Sequence, residues 1–166
     1  MIKYAITGTI FLNLFFIACS TGVITQHRWN KDADFGQFKT YSFLQINEFG
    51  GSDVLLTEEN LDYVKSAIRH ELDIRGYTEN DNSDLLVQIG VKLNEYNKQG
   101  PSYGEGMILA RLSVELQNAE NKEMVWTGSQ DSEALRSTTK REKRIAKAIS
   151  EIFEQYTFRA GDPIRY

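Results

Sequence analysis

The chain has 166 residues, of which 41% are hydrophobic and 25% charged, a composition that suits one globular domain and excludes collagen-like and proline-rich disordered proteins. Acidic residues outnumber basic ones by 23 to 19, which gives a net charge of −4. Bulk charge therefore argues against a nucleic-acid-binding protein, and the length argues against an enzyme with separate cofactor and substrate domains.

The first eighteen residues have the features of a secretory signal. Lys3 is the only charged residue among them, and the largely apolar run over residues 5–18 is shorter than the roughly 20 residues that a spanning helix needs. The run ends in Phe16-Ile17-Ala18-Cys19, which has the pattern of a bacterial lipobox. Cys19 is the only cysteine and has no intramolecular disulfide partner, so we predict that it is the lipidated residue.

Cleavage before Cys19 would make residues 1–18 the signal peptide and residues 19–22 a short lipidated tether. Ser20 follows the cysteine, where an aspartate would direct retention in the inner membrane of enteric bacteria, so we expect the outer membrane facing the periplasm. Two alternatives stay open. One is a plain signal peptide in which Cys19 is incidental, and the other is an uncleaved anchor helix.

Two strands and a helix open a single predicted domain of residues 23–156. The strands, over residues 23–29 and 38–44, are rich in β-branched and aromatic residues. The helix begins at Thr57, has carboxylates in its first turn and ends at Gly76. Its buried face is predicted to be an apolar stripe of Leu61, Val64, Ile68 and Leu72.

Alternation of apolar and polar residues predicts further strands over residues 84–96, 108–116 and 124–130, the last two joined by a turn at 118–121. Such alternation implies one buried and one wet face, as in antiparallel sheets. A capping box of Thr139 and Glu142 predicts the start of a second helix, and residues 157–166 are expected to be coil. The apolar stripe of this helix is Ile145, Ile149, Ile152 and Tyr156.

The predicted order β-β-α-β-β-β-α favours a two-layer α+β fold. We expect an antiparallel sheet of about five strands with both amphipathic helices on one face, because the sheet has one apolar face and each helix has one apolar stripe. Four aromatic residues are expected to pack a first hairpin against the core: Phe35, Phe38, Tyr41 and Phe43.

Five short stretches follow one another along this domain. They are Asp32-Ala33-Asp34-Phe35, Phe38-Lys39-Thr40-Tyr41-Ser42-Phe43, Gly76-Tyr77, Asp84-Leu85-Leu86-Val87 and Val125-Trp126-Thr127-Gly128. In this order they resemble a family of bacterial lipoproteins that carry a domain of unknown function (number 4136), and the likeness spans most of residues 23–156. The resemblance implies an α+β envelope domain with no established activity and no known catalytic residues.

The sequence lacks the spacings that catalysis or metal binding would require. His27 and His70 are the only histidines, there is no second cysteine, and no phosphate-binding loop or nucleophile elbow is present. We therefore expect no catalytic, metal-binding or cofactor-binding residues, no cofactor and no nucleic-acid partner.

Two surface features are candidate binding sites. Tyr103 lies in a long glycine-rich connection over residues 98–106, where an aromatic side chain can anchor a partner. The second feature is a basic face of the second helix, opposite its apolar stripe, made of Lys140, Lys143, Arg144 and Lys147. Both features can equally be solvated surface, with Lys147 paired to Glu151 one turn later.

These observations favour a non-catalytic binding or envelope-maintenance module. It would be attached to the membrane through acyl chains on Cys19 and would bind an envelope protein, a glycan or an anionic lipid. The alternative is a small hydrolase, or a carrier of a small ligand or lipid, that uses the sheet face left bare by the helices.

Overall fold

The computed structural model describes residues 25–44, 57–96, 107–132 and 139–162. Within these ranges the chain forms six strands and two α-helices, with a short 3-10 turn at Phe35–Gln37. In chain order the elements are β1 (Thr25–Trp29), β2 (Thr40–Phe43), α1 (Glu58–Asp73), β3 (Thr78–Glu79), β4 (Leu85–Tyr96), β5 (Met107–Asn118), β6 (Met124–Ser132) and α2 (Arg141–Phe153).

The described strands form one mixed sheet in the order β1-β6-β5-β4-β2-β3. Strands β4, β5, β6 and β1 pair antiparallel, whereas β2 pairs parallel with both β3 and β4. The predicted α+β fold is confirmed, with the two-residue strand β3 as an addition. The parallel pairing arises because the chain passes through α1 between β2 and β4, a crossover that returns it to the same end of the sheet.

The predicted first hairpin is wrong. Strand β1 pairs with β6 at one edge of the sheet, and β2 pairs with β4 near the other edge. The four aromatic residues assigned to that hairpin still pack as expected, because Phe35, Phe38 and Tyr41 are buried. Phe43 is half-buried beneath the cationic heads of Lys65 and Arg69.

Both helices pack their apolar stripes on the same face of the sheet. The predicted stripe residues of α1 and α2 are buried, apart from the partly buried Leu61. Alternate residues of the three long strands supply the other side of this core, including Leu85, Val87, Ile89, Leu112, Val114, Leu116 and Trp126. Burying two helix stripes against one sheet face is what makes the fold two-layered.

Both ends of α1 are as predicted, whereas the start of α2 is not. The Thr57 hydroxyl accepts the Asn60 N–H and caps α1, and Gly76 has the expected positive φ of 87° after its last turn. Thr139 is not the N-cap of α2, contrary to the prediction. Helix α2 starts one residue later, with Lys140 as a left-handed N-cap of φ 52° that makes no side-chain capping bond, so Glu142 occupies the wrong turn position.

The guanidinium of Arg75 joins the C-terminal ends of both helices. It forms an ion pair of 2.7 Å with Glu71 and also donates to the Glu71 carbonyl. On the α2 side it donates to the carbonyls of Phe153 and Tyr156, at 2.8 and 3.1 Å. A cation is favourable there because the carbonyl ends of both helices carry partial negative charge.

Residues 157–162 form no helix or strand but pack closely against the start of the domain. The ring of Phe158 stacks on that of Phe35 at a centroid separation of 3.6 Å. The Ala160 N–H donates to the Arg75 carbonyl, and the Gly161 N–H donates to the Phe38 carbonyl. The tail therefore closes this end of the core instead of hanging free.

Replacing Arg75 with alanine is expected to lower the free energy of unfolding by about 3 kcal/mol, because a mostly buried carboxylate and three carbonyls lose their donor. The fall is measured by urea denaturation. Arg69→Ala is the matched control. Its ion pair with Glu79 is roughly 40% exposed on both sides, so the loss should stay under about 1 kcal/mol. Equal losses in the two variants would contradict the role given to Arg75.

Gly128→Ala is expected to destabilise the protein by about 2 kcal/mol or more. A Cβ atom there would lie 2.5 Å from the Trp126 ring and 2.7 Å from Ile152, and neither neighbour can move freely within the core. Gly90→Ala on β4, two strands away in the sheet, is the control. Its new Cβ meets only the Ser113 hydroxyl, which can rotate away, so urea denaturation should show the smaller loss for this variant.

Candidate functional site

The basic face of α2 gathers four cationic side chains on one surface of the described residues. Its four members, Lys140, Lys143, Arg144 and Lys147, are all exposed and lie opposite the buried stripe of the helix, as predicted. Lys147 forms the predicted ion pair with Glu151, at 3.3 Å, while its own side chain stays 78% exposed. Nearby, Arg141 pairs with Glu59 of α1 at 3.2 Å. The four positive charges therefore share one solvent-facing surface.

This basic face is connected to the edge of the sheet where β1 begins. Glu151 continues the row of Lys140, Arg144 and Lys147 along the helix, and its carboxylate accepts a hydrogen bond from the buried amide of Gln130. The Gln130 amide oxygen in turn accepts from the Thr25 hydroxyl at 3.5 Å. The row of charged residues on α2 thus starts beside Thr25, at Glu151, and continues toward the N-terminus of the helix.

The groove between α1 and α2 is a small cavity of about 190 Å³. It brings the exposed His70 beside the buried Glu71, with the Tyr63 side chain on one wall and Glu142 of α2 on the other. The Glu71 carboxylate is already paired with Arg75. Drug-sized ligands usually occupy cavities of roughly 300 Å³ or more, so this groove suits at most a very small group.

The sheet face away from the helices is covered by polar side chains that bind each other. Arg111 of β5 forms a two-pronged ion pair with Asp131 of β6, at 2.7 and 3.0 Å. The Gln117 amide donates to both Gln88 and Glu115. The side chains of these described residues are thus engaged with one another, within β5 and between neighbouring strands.

Asp84 is the centre of a polar cluster that ties β2 to the start of β4. One of its carboxylate oxygens accepts hydrogen bonds from the Lys39 N–H, the Thr40 N–H and the Thr40 hydroxyl, at 2.8, 3.0 and 3.0 Å. Burial raises the pKa of this carboxyl, but these bonds and the nearby Lys39 charge outweigh burial and lower the pKa below its usual value. Two of the five sequence stretches are thereby explained as structural contacts.

Two tyrosines close the opposite end of the core from the basic face. The hydroxyls of Tyr77 and Tyr156 lie 2.8 Å apart, and burial raises the pKa of both phenols. Both groups stay neutral at physiological pH and act as a buried hydrogen-bonded pair.

Several predicted features fall outside the described residues. These are the signal peptide of residues 1–18, Cys19 and the tether of residues 19–22, and the connection with Tyr103. Among the residues that are described, His27 lies exposed on β1 and His70 lies exposed on α1. Within those ranges no three histidine, cysteine or acidic side chains come together as a metal site. No described helix is long and apolar enough to cross a membrane.

Sequence reasoning missed the Arg75 clamp, by which we mean the bonds that join this guanidinium to the C-terminal ends of both helices. It also missed the role of Asp84. A basic residue beside the helix-ending Gly76 is a usable signal for Arg75, since such residues bind the last carbonyls of a helix. For Asp84 the sequence offered the two stretches that contain the partners, but no sign that they touch.

Stability is expected to fall in acid as Asp84 becomes protonated. Because its pKa is lower in the folded state, its contribution is complete above the carboxyl's usual pKa and is lost as the pH drops through the lowered value. Asp84→Asn should flatten this acid limb of a plot of unfolding free energy against pH. Thr40→Val, which keeps the two backbone donors, should give an intermediate curve. Superimposable acid limbs in all three proteins would refute this assignment.

Solved bacterial structures share this fold at low sequence identity. A DUF4136 family protein from Bacteroides thetaiotaomicron has a TM-score of 0.57 and 15% identity, over 84% of this chain and 98% of its own. A PDZ domain protein from Parabacteroides distasonis has a TM-score of 0.58 and 17% identity. The match covers 86% of this chain but only 36% of that protein. PelC from Paraburkholderia phytofirmans, a dodecamer, has a TM-score of 0.51 and 14% identity, over 83% of this chain and 99% of its own.

At these identities the structural likeness shows the fold alone. No curated protein matches the chain. The sequence profile of one family, described as a domain of unknown function, matches residues 25–156 and so covers both helices and all the described strands. This confirms the resemblance that the five sequence stretches indicated. The chain belongs to the DUF4136 family.

Proposed function

We propose that this protein is a bacterial envelope lipoprotein whose domain serves as a non-catalytic binding or envelope-maintenance module. The observation that carries the proposal is the position of Cys19. It ends the lipobox Phe16-Ile17-Ala18-Cys19 and stands six residues before Thr25, where β1 begins. Signal, lipidation site and domain thus follow one another without room for a further folded unit between them.

Lipidation at Cys19 would attach the domain firmly to a membrane. Each buried CH₂ group contributes about 0.8 kcal/mol, and stable attachment takes more than one acyl chain. A lipoprotein cysteine carries a diacylglyceryl thioether and usually an amide-linked third chain, which meets that condition. Ser20 supports the outer membrane facing the periplasm as the destination.

The described surface supports binding over catalysis. A hydrolase needs a nucleophile and a base that converge on one pocket. Here the polar side chains of the bare sheet face bond to one another across the strands, and Asp84 is held by backbone N–H groups. The α1/α2 groove of about 190 Å³ is small for a carried ligand. The basic face of α2 instead gathers exposed cationic side chains, of which Lys140, Lys143 and Arg144 form no ion pair among the described residues, and this favours an anionic partner.

Palmitate labelling in growing cells tests the anchor. The wild-type protein should incorporate label and fractionate with membranes, and globomycin, which blocks the lipoprotein signal peptidase, should cause the precursor to accumulate. Cys19→Ala should lose the label, because the acceptor sulfur is gone, whereas Ser20→Ala should keep it. An unlabelled wild-type protein, or normal processing of Cys19→Ala, would refute the proposal.

A further inference from the structure

We propose that the basic face of α2 rests on the anionic phospholipid headgroups of the membrane that holds the acyl anchor. This inference rests on the proposed lipidation of Cys19 and adds an orientation to it. The domain would not swing freely on its tether but would lie with Lys140, Lys143, Arg144 and Lys147 against the lipid phosphates.

The charges of this face are available to an external anion. Within the described part of the chain, Lys140, Lys143 and Arg144 form no ion pair, and all three are exposed. Neighbouring carboxylates are turned elsewhere. Glu142 lines the groove toward α1, and Glu59 pairs with Arg141. Positive charge at the N-terminus of α2 adds to the positive end of the helix dipole, a combination that an anion bound from outside relieves.

Whether the face can touch the membrane depends on how far it lies from the residue where the tether joins the domain. Glu151 lies at the level of Thr25, through the bonds that both residues make with Gln130. From Glu151 the helix rises by about 16 Å to Lys140, at 1.5 Å per residue. The six residues from Cys19 to Thr25 span at most about 20 Å. The acylated sulfur can therefore reach the level of every basic residue on the face.

The orientation of the whole domain agrees with this arrangement. The helices run parallel, since Arg141 meets Glu59 at their N-terminal ends and Arg75 meets Phe153 at their C-terminal ends. The basic residues of the face thus lie between the level of Thr25 and the N-terminal ends of the helices, on the side away from the end closed by Arg75 and the tail.

The acyl chains and the basic face would together form an anchor with two membrane-binding elements. Lipid chains combined with a cluster of basic residues bind anionic membranes more tightly than either does alone. Because the tether holds Thr25 within about 20 Å of the acylated sulfur, contact of the face with the headgroups is an intramolecular step with a high effective concentration. Each Lys or Arg at such a surface strengthens binding about fivefold, and salt weakens it.

Fluorescence quenching on vesicles tests the contact directly. The mature lipidated protein is reconstituted in phosphatidylcholine vesicles, or in vesicles with about a third of phosphatidylglycerol, both with a nitroxide on some headgroups. Because acylation leaves Cys19 without a free thiol, a fluorophore can be attached selectively to the Thr139→Cys variant. This fluorophore reports the basic end. A fluorophore on Glu120→Cys, in the turn between β5 and β6, reports the far end. Quenching at position 139 should rise with phosphatidylglycerol and fall again in high salt, while quenching at position 120 stays low.

Two triple variants, each of which removes three positive charges, test whether the place of the charges matters. The triple variant Lys140→Gln, Lys143→Gln, Arg144→Gln should weaken the preference for anionic vesicles about a hundredfold, because three charges are lost. Removing three exposed charges near the closed end, with Lys31→Gln, Lys39→Gln and Arg159→Gln, should leave quenching at position 139 unchanged. Urea denaturation verifies that both triple variants remain folded.

The outcomes separate this inference from the anchor itself. The protein could float with vesicles while quenching at position 139 stays the same with and without phosphatidylglycerol, or in the wild type and the first triple variant. Either result would overturn the membrane contact and leave an acidic protein as the partner of the face. Equal loss in both triple variants would also overturn it, since it would reflect net charge alone. Failure to float with either vesicle would instead overturn lipidation at Cys19.

Discussion

The contact on which this fold depends most is the guanidinium of Arg75. It sits where two parallel helices end side by side, so the partial negative charges of both carbonyl ends meet at one place. A single side chain with a planar fork of donors binds carbonyls of both helices and the carboxylate of Glu71. Lysine has the charge but not the fork, so it could not make the same set of bonds. The tail then packs beside this cluster through Phe158 and Ala160.

The clamp gives the domain two unlike ends. One end is closed by the clamp, by the buried pair of Tyr77 and Tyr156 and by the stacked rings of Phe35 and Phe158. The other end carries the helix N-termini and the basic residues of α2. Such polarity would suit an anchored protein, because a tether that joins the domain at Thr25 is long enough to reach the level of the basic residues, which favour an anionic surface.

The five sequence stretches on which the family resemblance was based contribute to the fold of this chain rather than to any chemistry. Thr40 and Asp84 bond to each other across two strands, and Gly128 leaves space for the ring of Trp126. A mutation in any of them would be felt as lost stability. A family held together by such contacts can share a scaffold while its members differ in the surfaces that bind partners. Function is therefore best sought in exposed residues outside the matching stretches, as on α2.

Local patterns in the sequence were enough to predict the parts whose physics is local. The stripe of α1 between Thr57 and Gly76 and the alternation of β4 to β6 identified the main elements and their buried faces, because helix and strand periodicities place side chains within a few residues. The tertiary structure alone decided that β1 and β2 lie apart, that Lys140 displaces the predicted cap, and that Arg75 reaches carbonyls 78 and 81 residues away. Each of these depends on contacts between distant segments, and such contacts are set by how the whole core closes rather than by any pattern within one segment.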